Sequence, residues 1–117
     1  MPWVSISTAN VVSTDAQEVL KIEIAKVLRE ELGKEEQGLF IGFEHLDALY
    51  RAGIRENNAA TVLVHYIGRF SLSEKRAVTA RICRLLTSCL GLDAQKIIVL
   101  FREMESADWG RAAGEYS

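Results

Sequence analysis

The sequence predicts an α+β domain in which two tandem β-α-β units form one four-stranded mixed sheet with two helices on one face. The first observation behind this prediction is an internal repeat. Residues 28–46 align with residues 86–104 at a constant offset of 58 positions, so that Gly33 corresponds to Gly91. The second observation is that each half passes from a short β-type run to a helix-period segment and back to a β-type run. Because a strand, a helix and a parallel strand form a right-handed unit, two such units make the predicted sheet.

The four strands are predicted from short runs that are rich in branched and aromatic side chains. These runs are residues 3–8, 39–43, 61–67 and 96–101. Their length and composition favour strand over helix.

One helix is predicted between the two strands of each half, which makes two helices in the chain. Apolar residues recur there with a period of 3.6, as expected for a helix with one buried face. Thr14 with Gln17, and Ser71 with Glu74, have the spacing of a capping box, and a glycine follows each segment where a helix end favours a left-handed residue. The apolar positions are Leu20, Ile24, Val27 and Leu28 in the first helix and Val78, Ile82, Leu85 and Leu86 in the second.

Length and composition indicate a single domain over residues 1–117, with repeat halves at about 2–58 and 60–117. Hydrophobic residues make up 49% of the chain and charged residues 26%, which are ordinary globular values. The net charge of −2 lacks the basic excess of a nucleic-acid-binding surface. No apolar run approaches the ~20 residues of a membrane span, and no signal-peptide pattern opens the chain. A cytoplasmic protein without nucleic acid or membrane partners is therefore expected.

One face of the predicted sheet lacks a covering layer. Since side chains alternate along a strand, Phe40, Leu63, Ile98 and Leu100 point away from the helices. The chain has no further helix to cover them, and an apolar face of this size ordinarily meets a partner. We therefore expect this face to be covered by self-association of the chain.

The sequence carries none of the usual metal, redox or nucleophile patterns. Cys83 and Cys89 lie in a predicted helix without the spacing of a metal or redox pair, and we expect reduced, buried, structural thiols. His65 alternates with apolar positions of its strand and has no partner at a ligand spacing, which favours a partly buried structural role. Neither a metal nor a cofactor is expected.

Pro2 is the only proline of the chain. Inside a strand a proline removes a backbone donor, but at a chain end that cost disappears. A small second residue generally permits removal of the initiator methionine, and Pro2 would then carry a free secondary amine that can act as a base or a nucleophile. The alternative is that proline stands at position 2 without any functional role.

Several segments, in their order and spacing, resemble the tautomerase superfamily and, within it, the macrophage migration inhibitory factor group. They are "LGK" at 32–34, "HYIGRF" at 65–70, "LGLDAQKIIVLFREM" at 90–104 and "WG" at 109–110. The resemblance runs over nearly the whole chain. It implies a homotrimer whose three sheets enclose an interior, with a pocket at each subunit boundary and the proline at its floor.

The resemblance also implies roles for individual residues. Pro2, after loss of Met1, would be the catalytic general base that moves a proton between carbon and oxygen of a small enolisable keto acid. Lys34 would bind the substrate carboxylate and lower the pKa of Pro2, although its position alone favours an exposed lysine just beyond a helix end. Ile67 would contact the substrate through its backbone. Tyr116 would be a pocket aromatic, with mere packing of the tail as the alternative.

The chain departs from the pattern of its close relatives at several positions, including three that would lie in the pocket. Ile98 and Leu100 stand where those relatives have a tyrosine and an asparagine from the neighbouring subunit, and Arg111 replaces a pocket tryptophan. Arg111 would bind a second carboxylate or would simply be solvated. The sequence therefore leaves two alternative functions. The protein is either a tautomerase-type enzyme or a trimeric ligand-binding or interaction protein with weak or no catalysis.

Overall fold

The computed structural model describes residues 2–112 and shows the two predicted β-α-β units. A short hairpin joins them, and single-turn 3₁₀ helices lie at Glu36–Gly38, Ala94–Lys96 and Ser106–Asp108. In chain order, the elements are β1 (Trp3–Thr8), α1 (Thr14–Leu32), β2 (Phe40–His45), β3 (Tyr50–Arg51), β4 (Ile54–Arg55), β5 (Ala60–Ile67), α2 (Leu72–Leu90) and β6 (Ile97–Met104).

The four long strands form one mixed sheet in the order β2-β1-β5-β6. Within each half the two strands are parallel, as a helix crossover requires, and the halves meet through the antiparallel pair β1 and β5. The predicted α+β class and the mixed four-stranded sheet are confirmed. The amino-terminal strand lies in the middle of the sheet, with neighbours on both sides.

The core lies between the sheet and the two helices. Val4, Ile6, Val62 and Val64 of the central strands are fully buried, in agreement with a strand period of two. The helix-period residues meet them from the other side, which confirms that periodic pattern. Their fully or almost fully buried members are Leu20, Ile24, Val27, Leu28, Val78, Ile82 and Leu86.

The helix ends follow the sequence signals in three cases out of four. Ser71 and Glu74 form the predicted capping box, and the glycine after each helix has a left-handed φ of 67°. The predicted box of Thr14 with Gln17 is wrong. Thr14 is already helical, and Ser13, in an extended conformation, accepts a hydrogen bond from the Ala16 N–H at 3.2 Å.

Replacing Ser71 by alanine should lower the free energy of unfolding by about 1 kcal/mol, the usual cost of losing an N-cap side chain. The Ser71 hydroxyl accepts from the Glu74 N–H at 3.1 Å, and the Ser71 N–H donates to the Glu74 carboxylate at 2.8 Å. Urea unfolding at a fixed protein concentration measures the loss. Ser73→Ala is the matched control, because Ser73 is an exposed serine of the same helical turn. Equal losses in the two variants would contradict the capping role.

The face of the sheet away from the helices is exposed and apolar. The side chains of Phe40, Ile98 and Leu100 are 64%, 55% and 50% exposed, and Leu63 lies beside Leu100 on the paired strand. We call this surface the outer face. The predicted orientation of its four apolar residues is therefore confirmed.

Membrane-spanning helices, the two cysteines and metal-binding clusters were also considered in the sequence, and the structure bears on each of them. No helix of residues 2–112 is long and apolar enough to cross a membrane. Cys83 and Cys89 are half-buried, so the expected burial holds only in part, and burial raises the pKa of the Cys83 thiol. Within the same residues, no cluster of histidine, cysteine and carboxylate side chains is arranged to hold a metal ion.

Candidate active site

Pro2 is buried at the start of the central strand β1. Its carbonyl accepts a hydrogen bond from the Phe40 N–H at 3.0 Å, which ties the residue just before β1 to β2. A proline is tolerated at the first position of a strand because the missing N–H falls outside the ladder. Since β1 and β5 are antiparallel and Trp3 pairs with His65, Pro2 lies next to the end of β5, where Ile67 is the last residue.

Lys34 is placed by the end of helix α1. The left-handed Gly33 turns the chain, its N–H donates to the Arg29 carbonyl at 3.0 Å, and the Lys34 N–H donates to the Leu28 carbonyl at 3.2 Å. These bonds fix the backbone from which the lysine side chain extends. Glycine tolerates this conformation without the steric cost that a Cβ would bring.

The Lys34 ammonium reaches the end of β5. Its Nζ donates to the Ile67 carbonyl at 2.8 Å and lies 5.6 Å from the centre of the Phe70 ring, within the range of a cation–π contact. Burial lowers the pKa of the half-buried Lys34. Among residues 2–112 no carboxylate pairs with it, so its charge is compensated only by a carbonyl dipole and an aromatic face.

The turn after β5 is fixed on both sides. Gly68 has a φ of 118°, a region that residues with a Cβ rarely adopt, and its N–H donates to the Met104 carbonyl at 3.3 Å. Two residues later, the Phe70 N–H donates to the Glu103 carboxylate at 3.4 Å. The turn that presents the Ile67 carbonyl and the Phe70 ring is therefore held against β6.

Glu103 is the centre of a polar cluster behind this turn. Its carboxylate accepts from the Tyr66 hydroxyl at 3.2 Å and pairs with Lys75 at 2.7 Å and Arg69 at 3.3 Å. The hydrogen bond from Lys75 is the main reason that the pKa of Glu103 is lowered. Burial, and then the neighbouring Glu103 charge, raise the pKa of Tyr66. Glu103 is thus held as a carboxylate and Tyr66 as a neutral phenol.

A cavity of about 320 Å³ opens on the outer face beside Trp3, the residue after Pro2. Burial, and then the positive charge of Arg102, lower the pKa of His65 in this cavity, so its neutral imidazole is favoured. His65 is half-buried, as the sequence indicates, but the cavity itself was not predicted. The lining residues are Trp3, His65, Arg102, Met104, Asp108, Trp109 and Gly110.

The structure brings three of the four sequence-predicted site residues to one end of the sheet. Lys34 and Ile67 are in direct contact, and Pro2 lies at the neighbouring strand start. Tyr116 lies outside the described residues. Arg111 is exposed, and Ile98 and Leu100 face outward rather than toward the core of their own chain.

This two-layer architecture is shared with solved structures of macrophage migration inhibitory factor proteins. The sequence model of the macrophage migration inhibitory factor family matches residues 1–115, and the chain belongs to that family. No curated protein sequence matches the chain.

Solved structures share the fold at low sequence identity. MIF2 of Leishmania major has a TM-score of 0.84 at 24% identity, covering 94% of this chain and 94% of that one. The protein Pt0534, inactivated by 2-oxo-3-pentynoate, has a TM-score of 0.85 at 18% identity, with 96% and 93% covered. A fused 4-OT, described as a wild-type symmetric trimer, has a TM-score of 0.84 at 18% identity, with 97% and 94% covered. At these identities the likeness shows the fold alone.

Proposed function

We propose that the protein is a tautomerase-type isomerase that moves a proton within a small enolisable keto acid. The observation that carries this proposal is the state of Lys34. Its ammonium is half-buried, lacks a carboxylate partner in residues 2–112 and stands at the strand end beside Pro2. A cation held in this way is suited to a carboxylate ligand, because charge-assisted hydrogen bonds are stronger than neutral ones.

Pro2 supplies the base once Met1 is removed. Its free amine takes a proton from the carbon next to the substrate carbonyl and returns it to the oxygen, or the reverse, so that no atom is gained or lost. An α-amino group ordinarily has a pKa of about 7.7–8.0, and burial with a cation nearby lowers it. The amine is then unprotonated at neutral pH, which a general base requires.

The same proposal includes a homotrimer. The outer face exposes apolar side chains at Phe40, Ile98 and Leu100 on a chain that offers nothing further to cover them in its described part. The fused 4-OT of the same fold is a symmetric trimer, which supports this form of assembly. The substrate class has similar support, since the compound that inactivated Pt0534 is by its name a 2-oxo carboxylate.

A second function is favoured by one observation. Ile98 and Leu100 present apolar side chains where the resemblance calls for a hydroxyl and an amide. A pocket without these polar groups would bind a small carboxylate with weak or no turnover. In that case the protein is a trimeric ligand-binding or interaction protein, and an assay of proton transfer separates the two functions.

Replacing Lys34 by alanine should raise the KM for a small keto acid about tenfold or more, the usual effect of losing a hydrogen bond to a charged group. Lys26→Ala is the matched control, since Lys26 is an exposed lysine of helix α1, which ends just before Lys34. Aryl pyruvates should be poorer substrates than small keto acids, because the polar groups at positions 98 and 100 are missing. Rapid turnover of an aryl pyruvate, undiminished in Lys34→Ala, would contradict both the site and the preference.

A further inference from the structure

We infer that Glu103 is a positioning residue that keeps the Lys34 ammonium oriented and available for a ligand carboxylate. The inference rests on the carboxylate-binding role of Lys34 in the proposed function. Glu103 acts through the turn after β5 and through the two other cations, which pair with its carboxylate. Within the described residues it makes no direct contact with Lys34.

Glu103 holds in place the aromatic rings that lie beneath the Lys34 ammonium. Glu103 lies on β6, yet its carboxylate receives the Phe70 N–H and the Tyr66 hydroxyl, at 3.4 and 3.2 Å. The Tyr66 and Phe70 rings pack with their centres 4.9 Å apart, and the Phe70 ring lies under the Lys34 ammonium at 5.6 Å. One carboxylate thus holds both rings of the stack on which Lys34 rests.

Glu103 also neutralises the cations that neighbour Lys34. Of the three cations around this turn, Lys75 and Arg69 are paired with Glu103, and Arg69 also meets Glu105 at 3.4 Å. Within residues 2–112, Lys34 meets only a carbonyl and an aromatic ring. An incoming carboxylate therefore finds two cations already neutralised and one that is not. Without the Glu103 charge, Lys75 would lose its carboxylate partner and the turn would lose one of its ties to β6.

The test compares Glu103→Gln with Glu105→Gln. Glutamine keeps the size of the side chain and an oxygen for the Phe70 N–H, but it has no charge for Lys75. Glu105 is a neighbouring carboxylate whose one side-chain contact in the described residues is Arg69. Binding of pyruvate, used as a small carboxylate probe, is measured by NMR titration of the full chain. The expected loss of affinity is three- to tenfold, roughly the size of one ordinary hydrogen bond, in Glu103→Gln and less than twofold in Glu105→Gln.

A double-mutant cycle separates positioning from general destabilisation. In a Lys34→Ala background, Glu103→Gln should change the pyruvate affinity by less than twofold, since the group that Glu103 positions is gone. A full loss in that background, or equal losses for Glu103→Gln and Glu105→Gln, would overturn the inference. If Glu103→Gln does not fold, Glu103→Asp, which keeps the charge, is compared with wild type, and an affinity retained within twofold is expected. A loss beyond that, with the fold intact, would count against the charge argument.

The same titration distinguishes failure of the inference from failure of the enzymatic proposal. Exchange of the pyruvate methyl protons with D₂O reports enolisation in the same sample. If the pyruvate affinities follow the double-mutant cycle but the methyl protons do not exchange, the role of Glu103 is retained and catalysis is rejected. Wild-type protein that binds no pyruvate would reject the inference, because Lys34 would then not be a carboxylate site.

Discussion

Protein that has lost Met1 will catalyse proton exchange in a small keto acid, and the same chain with Met1 retained will show only the background rate. With Met1 in place the Pro2 nitrogen is an amide, which is not a base. A positioned general base contributes roughly 10²- to 10⁴-fold, so a loss of that size is expected. The two samples are prepared from one sequence, their termini are verified by intact mass, and their rates are compared by NMR exchange.

The pH profile of the processed protein gives a further check on the same group. Activity should rise with pH through an apparent pKa below the ordinary α-amino range of about 7.7–8.0, since burial favours the neutral amine. Pro2→Ala should keep the fold, because no helix or ladder hydrogen bond requires the proline ring, and should lower the rate substantially. Equal rates with and without Met1 would mean that Pro2 is not the base.

Replacing Ile98 by aspartate should convert a trimer of three 13.1-kDa chains into a monomer. The side chain lies on the outer face, and assembly would bury an unpaired carboxylate in each subunit at a cost of several kcal/mol. Sedimentation equilibrium at micromolar concentration measures the change. Any activity that needs a pocket between subunits should be lost with the trimer.

Ile22→Asp is the control for this substitution. Ile22 lies on helix α1 and is 59% exposed, close to the exposure of Ile98, but it is not part of the outer face. Its replacement should leave the assembly intact. A wild-type protein that sediments as a stable monomer would reject the trimer and every site that depends on a subunit boundary.

Periodicity and the repeat were sufficient to predict the sheet because they are local signals that recur. Val4 and Val62 alternate with outward residues in the same way in each half, and burial follows that alternation. The same signals predicted that Ile98 and Leu100 point away from the helices. A local signal failed at Thr14, where two adjacent hydroxyl residues compete for one cap and Ser13 has the extended backbone that the cap requires.

The surroundings of the site depend on contacts between residues far apart in sequence, and these were not predicted. Glu103 joins Phe70 and Lys75 through a strand pairing whose register the sequence does not state. The cavity beside Trp3 likewise requires the 3₁₀ turn at Ser106–Asp108 to bring Trp109 near His65. The alternation of His65 with apolar residues was the one available signal, and it indicated burial rather than a cavity.

The antiparallel pairing of the central strands relates the two halves by an approximate twofold axis, and this sets a ligand stoichiometry. Pro2, Lys34 and the end of β5 lie at one end of the sheet. Their equivalents under the 58-residue offset lie at the other end, where Ala60 is mid-chain and Leu92 is buried in the core. Because the two halves form one polypeptide, only one of the two related ends of the sheet has an amino terminus. Each chain therefore offers a single position for a terminal amine, and a trimer with the proposed chemistry saturates at three ligands rather than six.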